Sequence, residues 1–314
     1  MARFVIRRLL QSAVVLLGVT LVVFLLLQLV PGDPVRVALG TRFDPQTYEA
    51  LRARAGLDQP LVVQYFDYLR RALTGDLGVS FRSGRPVTSI VLERLPATLS
   101  LAVTAVLFAL LIAVPLGILS AVRSGSFIDH AARVFSQFGV SVPDFWMGIM
   151  GILLFAGVLG WLPPSGYVAL TEDPARWASH VALPAATVGL VTAAILTRFI
   201  RSSMLEVLAE DYVRTAEAKG LRTRTVVRRH VLRNALIPVV TVVAVQLASL
   251  LGGVIVIEVL FAWPGIGRLT YDAVQARDYP VLQGAVLLVA ALFLLMNLLV
   301  DILYARLDPR ITVE

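Results

Sequence analysis

The chain has 314 residues, 58% hydrophobic and only 16% charged, with no cysteine and a net charge of +7 carried almost wholly by arginine. A soluble domain carries about a quarter charged residues, so the composition is that of a membrane protein, long enough for several spans of about 20 residues each. Lack of cysteine excludes disulfide staples and thiolate metal sites. In so apolar a chain the arginines are read first as topology signals and only distantly as nucleic-acid contacts.

Leu9 to Val30 is the first apolar run, preceded by Arg3, Arg7 and Arg8. It is too long for a cleavable signal segment, and Pro31-Gly32-Asp33-Pro34 is no small-residue cleavage site, so it is predicted to be a retained anchor. Further runs at Ala97–Val122, Ser136–Gly160, Val181–Ile200, Ala235–Phe261 and Val281–Tyr304 bring the expected number of spans to six. Arginine clusters at Arg3, Arg7 and Arg8, at Arg123 and Arg133, in the fourth-to-fifth connection, and at Arg306 and Arg310. The short loops Trp161–His180 and Trp263–Pro280 hold only Arg176, Arg268 and Arg277. Positive-inside bias then predicts that both termini are cytoplasmic.

Residues 31–96 fall outside on this count and read as a small folded cap. Pro60 followed by Leu61, Tyr65, Leu69 and Leu73 predicts a short amphipathic helix with Gly75 just past its end. Gly56, Gly75, Gly78, Gly84 and Pro86 mark turns around it.

The connection between the fourth and fifth spans is the densest in charge: Arg198, Arg201, Arg214, Lys219, Arg222, Arg224, Arg228, Arg229 and Arg233 stand against Glu206, Glu210, Asp211 and Glu217. Leu205, Leu208, Tyr212, Ala216 and Leu221 recur at roughly helical spacing. Gly220 sits where a helix would end in a left-handed cap, and a second helix is expected from near Thr223. Two short helices meeting at a glycine make a compact elbow. Its small residues Thr215, Ala216 and Ala218 would admit another protein's backbone, and its arginines would steer and anchor that partner; a solvated basic loop near anionic lipid is the plainer alternative.

Lys219 is the only lysine, and no GxxxxGK[ST] loop surrounds it, so this chain is not its own P-loop motor. His130, His180 and His230 lie far apart, with no HExxH or GxSxG, which leaves an intramembrane hydrolase without a signature. A secondary transporter or channel would use ionisable groups within spans. Asp144 and Asp301 fall near predicted span ends. Glu258 falls deeper, in "GGVIVIEVLFAWPG", where it would either pair structurally or face a cavity. Gln246 and Ser249 on the fifth span, Asn297 on the sixth and Gln28 on the first are polar positions that join helices or line a pathway. Gly252 and Gly253 would permit close helix packing or a hinge, and Pro115, Pro184 and Pro238 are kink candidates.

The stretches "RTAEAKG" and "RRHVLRNALIP" resemble the coupling-loop signature of ABC importer permeases in its dipeptide and oligopeptide form. Arg214, Thr215 and Ala216 fill the triplet that the general signature writes Glu-Ala-Ala, and Gly220 fills its glycine. His230, Val231, Leu232 and Arg233 stand at the later Ile-x-Leu-Pro, with proline displaced to Pro238. "LVPGDP", "GLDQP", "GDLGVSFRSGRPV", "RLPATLSLA", "SVPDFWMG", "FAWPGIGRLTYDAVQARDYPVLQG" and "LDPRI" resemble the same family in order and spacing, over nearly the whole chain.

The resemblance implies an all-α membrane protein with six transmembrane helices of type I ABC importer permease architecture, in the bacterial inner membrane. The expected segments are 1–30 for the amino-terminal end and first helix, 31–96 for the extracytoplasmic cap, and 97–314 for the permease core with a cytoplasmic coupling loop at 201–234. It implies that Arg214, Thr215, Ala216, Glu217, Ala218, Lys219, Gly220 and Leu221 meet a separate ATPase. Gln246, Ser249, Glu258 and Asn297 are the candidate pathway residues. The implied partners are a homologous second permease, two ATPase subunits or domains, an extracytoplasmic substrate-binding protein and membrane lipid, with no nucleic acid. No cofactor is expected in this chain; ATP and magnesium belong to the ATPases. The family's cargoes include peptides, nickel complexes and glutathione, chosen largely by the binding protein.

Overall fold

The computed structural model describes residues 2–39, 43–252 and 254–307. Gly253, Arg310 and the rest of 308–314, and the side chains of Arg3 and Arg306, lie outside the described residues. The helices in chain order are α1 (Ala2–Leu29), α2 (Pro34–Leu39), α3 (Pro45–Ala55), α4 (Leu61–Leu73), α5 (Val87–Val122), α6 (Phe127–Ser141), α7 (Asp144–Gly151), α8 (Pro174–Leu208), α9 (Asp211–Ala218), α10 (Thr223–Val226), α11 (Leu232–Leu251), α12 (Ile255–Leu260), α13 (Ile266–Gln275) and α14 (Tyr279–Leu307). Wider π-type turns continue α7 over Ile152–Val158 and join α10 to α11 over Val227–Val231. Among the described residues the only extended pairing is an isolated bridge between Val79 and Pro86.

Among the described residues, five helical stretches are long and apolar enough to cross a bilayer: Val5–Leu29, Val87–Val122, Pro174–Leu208, Thr223–Leu251 and Tyr279–Ile302. The third expected span is a bent pair instead of one rod, Phe127–Ser141 and Asp144–Val158 turning through 101°. Pro143 has no N–H to donate and forces Val142 into extended backbone (φ −86°, ψ 129°), which ends α6. The fifth span is shorter than the apolar run suggested. It stops at Leu251, and after the turn holding Gly252 the chain restarts as the separate α12. Two spans are longer than expected: α5 begins ten residues before Ala97 and runs through Pro96, and α8 begins at Pro174, capped by the Asp173 carboxylate on the N–H groups of Ala175 and Arg176.

The chain divides into two compact units. The first joins residues 1–99 to 251–295. In it α4 forms where the proline and leucine spacing predicts. Tyr65 packs its ring 5.4 Å from Phe24 of α1 and donates its hydroxyl to the Leu17 carbonyl, while Leu73 at the far end is exposed. Asp33 caps α2 by accepting from the N–H groups of Val35 and Arg36, and its other oxygen accepts from Tyr48 and Arg52. Burial pushes the Asp33 carboxyl up, but these donors outweigh it and hold the group below the ordinary carboxylate range. A cavity of about 750 Å³ in this unit is lined by Gln28, Asp33, Arg52, Asp76 and Tyr279 among others.

The second unit holds residues 100–250 and 296–314 and is organised by α8, whose central window is two-thirds buried. Small residues let neighbours approach it closely. A Cβ at Gly189 would lie 2.8 Å from the Ala105 carbonyl of α5, and one at Gly139 of α6 would strike the Ala194 methyl of α8. Gly189→Val is therefore expected to destabilise the unit by about 1–3 kcal/mol, because the backbone it meets cannot yield as a flexible side chain would. Thermal unfolding of the detergent-solubilised subunit measures this, with Gly189→Ala expected between wild type and valine.

Candidate functional site

The basic elbow forms as the sequence expects around Gly220. Helix α9 ends at Ala218, Gly220 has φ +77°, and α10 starts at Thr223. The Gly220 N–H donates to the Glu217 carbonyl and the Leu221 N–H to the Ala216 carbonyl, the paired bonds of a glycine-terminated helix. The helical row of apolar residues belongs to two helices: α8 stops at Leu208, and α9 starts afresh after Glu210, so Leu205 and Leu208 sit on one and Tyr212 and Ala216 on the other.

Val213 and Ala216 of α9, Val226 and Val231 form a buried cluster with Met204 of α8 and Ala235 of α11. Ala216 therefore packs inward and is not a seat for a partner's backbone, which corrects the sequence expectation for that position. Arg214, Thr215, Glu217, Ala218, Lys219, Gly220 and Leu221 are exposed. Tyr212 ties the elbow to α11 by donating to the His230 carbonyl at 3.3 Å and accepting from the Asn234 amide at 2.9 Å, and the Ser203 hydroxyl of α8 donates to the Ala235 carbonyl at 2.8 Å. The elbow is thus a charged outer surface on a base fused to α8 and α11.

The polar candidates separate. Gln246 and Ser249 lie one turn apart on α11, half-buried and exposed respectively, and Asn297 is half-buried on α14. Asp144 is in the first turn of α7, its carboxylate accepting from the Phe145 N–H, and Asp301 is on the last turns of α14. His130 is within hydrogen-bond distance of the Ser126 carbonyl just before α6, and His180 of the Arg176 carbonyl in α8.

Glu258 is not in a span but on α12, with 1% of its surface exposed. Helix α13 begins after Gly265, which has no side chain to cap it, and the orphan N–H groups find remote partners. The Ile266 N–H donates to the Thr98 hydroxyl at 2.8 Å, the Thr98 hydroxyl donates to Glu258 Oε1 at 3.2 Å, and the Arg268 N–H donates to Glu258 Oε2 at 2.8 Å. The Gly267 N–H adds a further bond to the carboxylate. Burial pushes the Glu258 carboxyl above the ordinary glutamate range against the opposing pull of these donors. A Cβ at Gly265 would fall inside the carboxylate, so that glycine is required by space alone. Trp263, wholly buried, closes the site by donating its indole N–H to the Ala97 carbonyl at 2.9 Å.

In the same unit Asp278, 4% exposed, accepts from the Ser80 hydroxyl at 2.5 Å and the Phe81 N–H at 3.1 Å, pinning the "GVSFRSG" loop to the turn after α13. Sequence reasoning singled out neither Asp278 nor Asp129 of α6. Glu258 stood out in the sequence as a deep carboxylate, but its partners did not; the glycines of "WPGIG" are the local trace of them, since they leave room for a carboxylate.

The family profile described as "Binding-protein-dependent transport system inner membrane component" matches residues 113–313, and the profile for the membrane component's amino-terminal part matches residues 1–102. The chain is 43% identical to proteins named dipeptide transport system permease protein DppB from Alkalihalophilus pseudofirmus and from Escherichia coli K12, over 99% of both chains in each case. It is 42% identical to a putative peptide transport system permease of Brucella abortus, again over 99% of both. Among solved structures, an inward-facing MetNI methionine ABC transporter chain matches with a TM-score of 0.57 at 19% identity, covering 70% of this chain and 96% of that one. An amino acid ABC transporter chain matches with a TM-score of 0.51 at 16% identity, covering 71% and 95%. The chain belongs to the family of binding-protein-dependent transport system inner membrane components, as an ABC importer permease subunit that leaves nucleotide hydrolysis to a separate protein.

Proposed function

We propose that this permease is half of a heteromeric pore importing dipeptides and short oligopeptides across a bacterial inner membrane. The observation that carries the peptide assignment is 43% identity along the full length of proteins named as dipeptide permeases. In this reading a homologous permease forms the other half, and an extracytoplasmic binding protein delivers cargo to the side bearing residues 31–96 and the loop 263–280. Both termini and the elbow at 201–234 face the cytoplasm. Two ATPase subunits holding ATP and magnesium dock on the exposed residues of Arg214–Leu221, and their closure rocks α11. Gln246, Ser249 and Asn297 are the pathway candidates; Glu258 is assigned to α13 instead, because its carboxylate is already engaged there.

The basic surface of the elbow suits an acidic groove on the ATPase, with steering by charge and register set by the fixed helix α9. Affinity purification of the tagged subunit from native membrane tests the assignment. A second permease and ATPase subunits are expected to copurify, and the reconstituted complex is expected to take up dipeptides only with ATP and the binding protein present. Uphill uptake by the isolated chain would defeat the reading.

A further inference from the structure

The second unit contains an ion pair with a buried carboxylate that the elbow reading does not use. Asp129, in the first turn of α6, is 1% exposed and takes a two-pronged grip from Arg201 of α8, with Nε 2.6 Å from Oδ1 and Nη2 3.0 Å from Oδ2. The Ser120 hydroxyl near the end of α5 donates to Oδ1 at 2.7 Å, and the Gly125 N–H donates to Oδ2 at 2.9 Å. Arg133, one turn along α6, stands 3.8 Å away. One carboxylate thus gathers α5, the α5–α6 turn, α6 and α8.

The position of this junction matters more than its strength. Arg201 precedes the end of α8 by two turns, and Ser203 beside it is bonded to α11. Ten residues along α6 from Asp129, Gly139 meets Ala194 of α8, seven residues back from Arg201, so the two helices run antiparallel with a backbone-close contact at one end and the ion pair at the other. Between the two, Ala132 and Ser136 are buried and Phe135 packs on the cluster that holds Leu196 and Ile200 of α8, so removing the pair leaves that apolar packing in place and takes away the one directional contact at the Asp129 end.

We infer that the Arg201–Asp129 pair is the link that makes α6, and the bent α6–α7 segment after it, follow the elbow when α8 and α11 move. The inference rests on the proposed role of the elbow. Both residues are positioning residues and touch no cargo. Mechanical coupling through a protein travels along packed elements with fixed contacts, and a guanidinium fork fixes direction as well as distance. Lysine in its place keeps the charge and loses the fork.

The test uses the full complex in liposomes with the Arg201→Lys variant. ATPase activity stimulated by the binding protein is expected to persist, while cargo taken up per ATP hydrolysed falls about fivefold or more. Because this chain has no cysteine, a nitroxide at Val134→Cys, an exposed position on α6, reports the movement once partner cysteines are replaced. Its ATP-dependent change in mobility is expected to vanish in Arg201→Lys and to be reduced in Ser120→Ala, which removes one donor from Asp129 and leaves the pair. An unchanged uptake ratio with an unchanged nitroxide response would overturn the inference. So would loss of assembly in Arg201→Lys, since the pair would then be an element of folding. The elbow reading fails separately: if Gly220→Val leaves uptake coupled, the elbow is not the transmitter, whereas uncoupling by Gly220→Val without uncoupling by Arg201→Lys removes this link alone.

Discussion

Glu258→Ala is expected to produce a large loss of stability. The change strips the acceptor from the Arg268 and Gly267 N–H groups at the start of α13, where Gly267 is buried and Arg268 half-buried. Two unsatisfied buried N–H groups cost about 2–6 kcal/mol, a large share of the roughly 5–15 kcal/mol that holds a domain folded. Glu258→Gln keeps one oxygen acceptor and turns its amide toward the Thr98 hydroxyl, and is expected to lose only about 1 kcal/mol near neutral pH. Since the folded carboxyl is raised above its ordinary value of about 4.3, its contribution to stability is full below that value and is lost as pH rises through the folded one. Glutamine removes this slope, so its deficit against wild type should shrink toward alkaline pH. A double-mutant cycle completes the test: Gly265→Ala is severe alone, because its methyl strikes the carboxylate, and mild in the Glu258→Ala background. Thermal unfolding in detergent followed by tryptophan fluorescence reads all four variants.

The same glutamate marks where sequence reading stops. The apolar run from Ala235 to Phe261 has no charge before Glu258, and hydropathy alone takes it as one span; the structure ends α11 at Leu251, next to Gly252, a residue type that weakens a helix through its backbone entropy. Proline, glycine and helical spacing act locally, so they gave α4, the glycine-marked end of α9 and the start of α10, while the apolar row from Leu205 to Leu221 hid the break between α8 and α9. The bend at Pro143 has a local cause too, the extended residue before it, but it falls inside an apolar run long enough to read as one rod. Partnerships across long sequence distances were not legible: Thr98 with Glu258, Ser80 with Asp278 and Arg201 with Asp129 are each set by tertiary packing. Ala216 shows the same limit from the other side, since a small residue on an amphipathic helix suits a partner's backbone and the chain's own core equally well.

Gly220→Val is the substitution expected to separate transport from ATP hydrolysis. The site is open, with no heavy atom within 4 Å of a Cβ placed there, so no clash arises and the whole effect comes from backbone conformation. At φ +77° an L side chain costs about 1–2 kcal/mol, and a β-branched one resists the region most. Relaxing that strain rotates residue 220 out of the left-handed region and breaks the bonds from its own N–H to Glu217 and from Leu221 to Ala216. Helix α10 then leaves α9 in a new direction, while the buried base at Val213, Ala216 and Val231 still holds the subunit together. The subunit should therefore remain folded in the membrane, its stability lowered by about the 1–2 kcal/mol of that strain. In proteoliposomes containing the whole complex, cargo imported per ATP hydrolysed should fall about 5–30-fold, the factor that 1–2 kcal/mol of misplaced docking energy produces. Asparagine tolerates the left-handed region far better than valine, so Gly220→Asn is expected to retain most of the uptake. Equal uptake in the valine and asparagine variants would show that the turn at Gly220 does not transmit the motion.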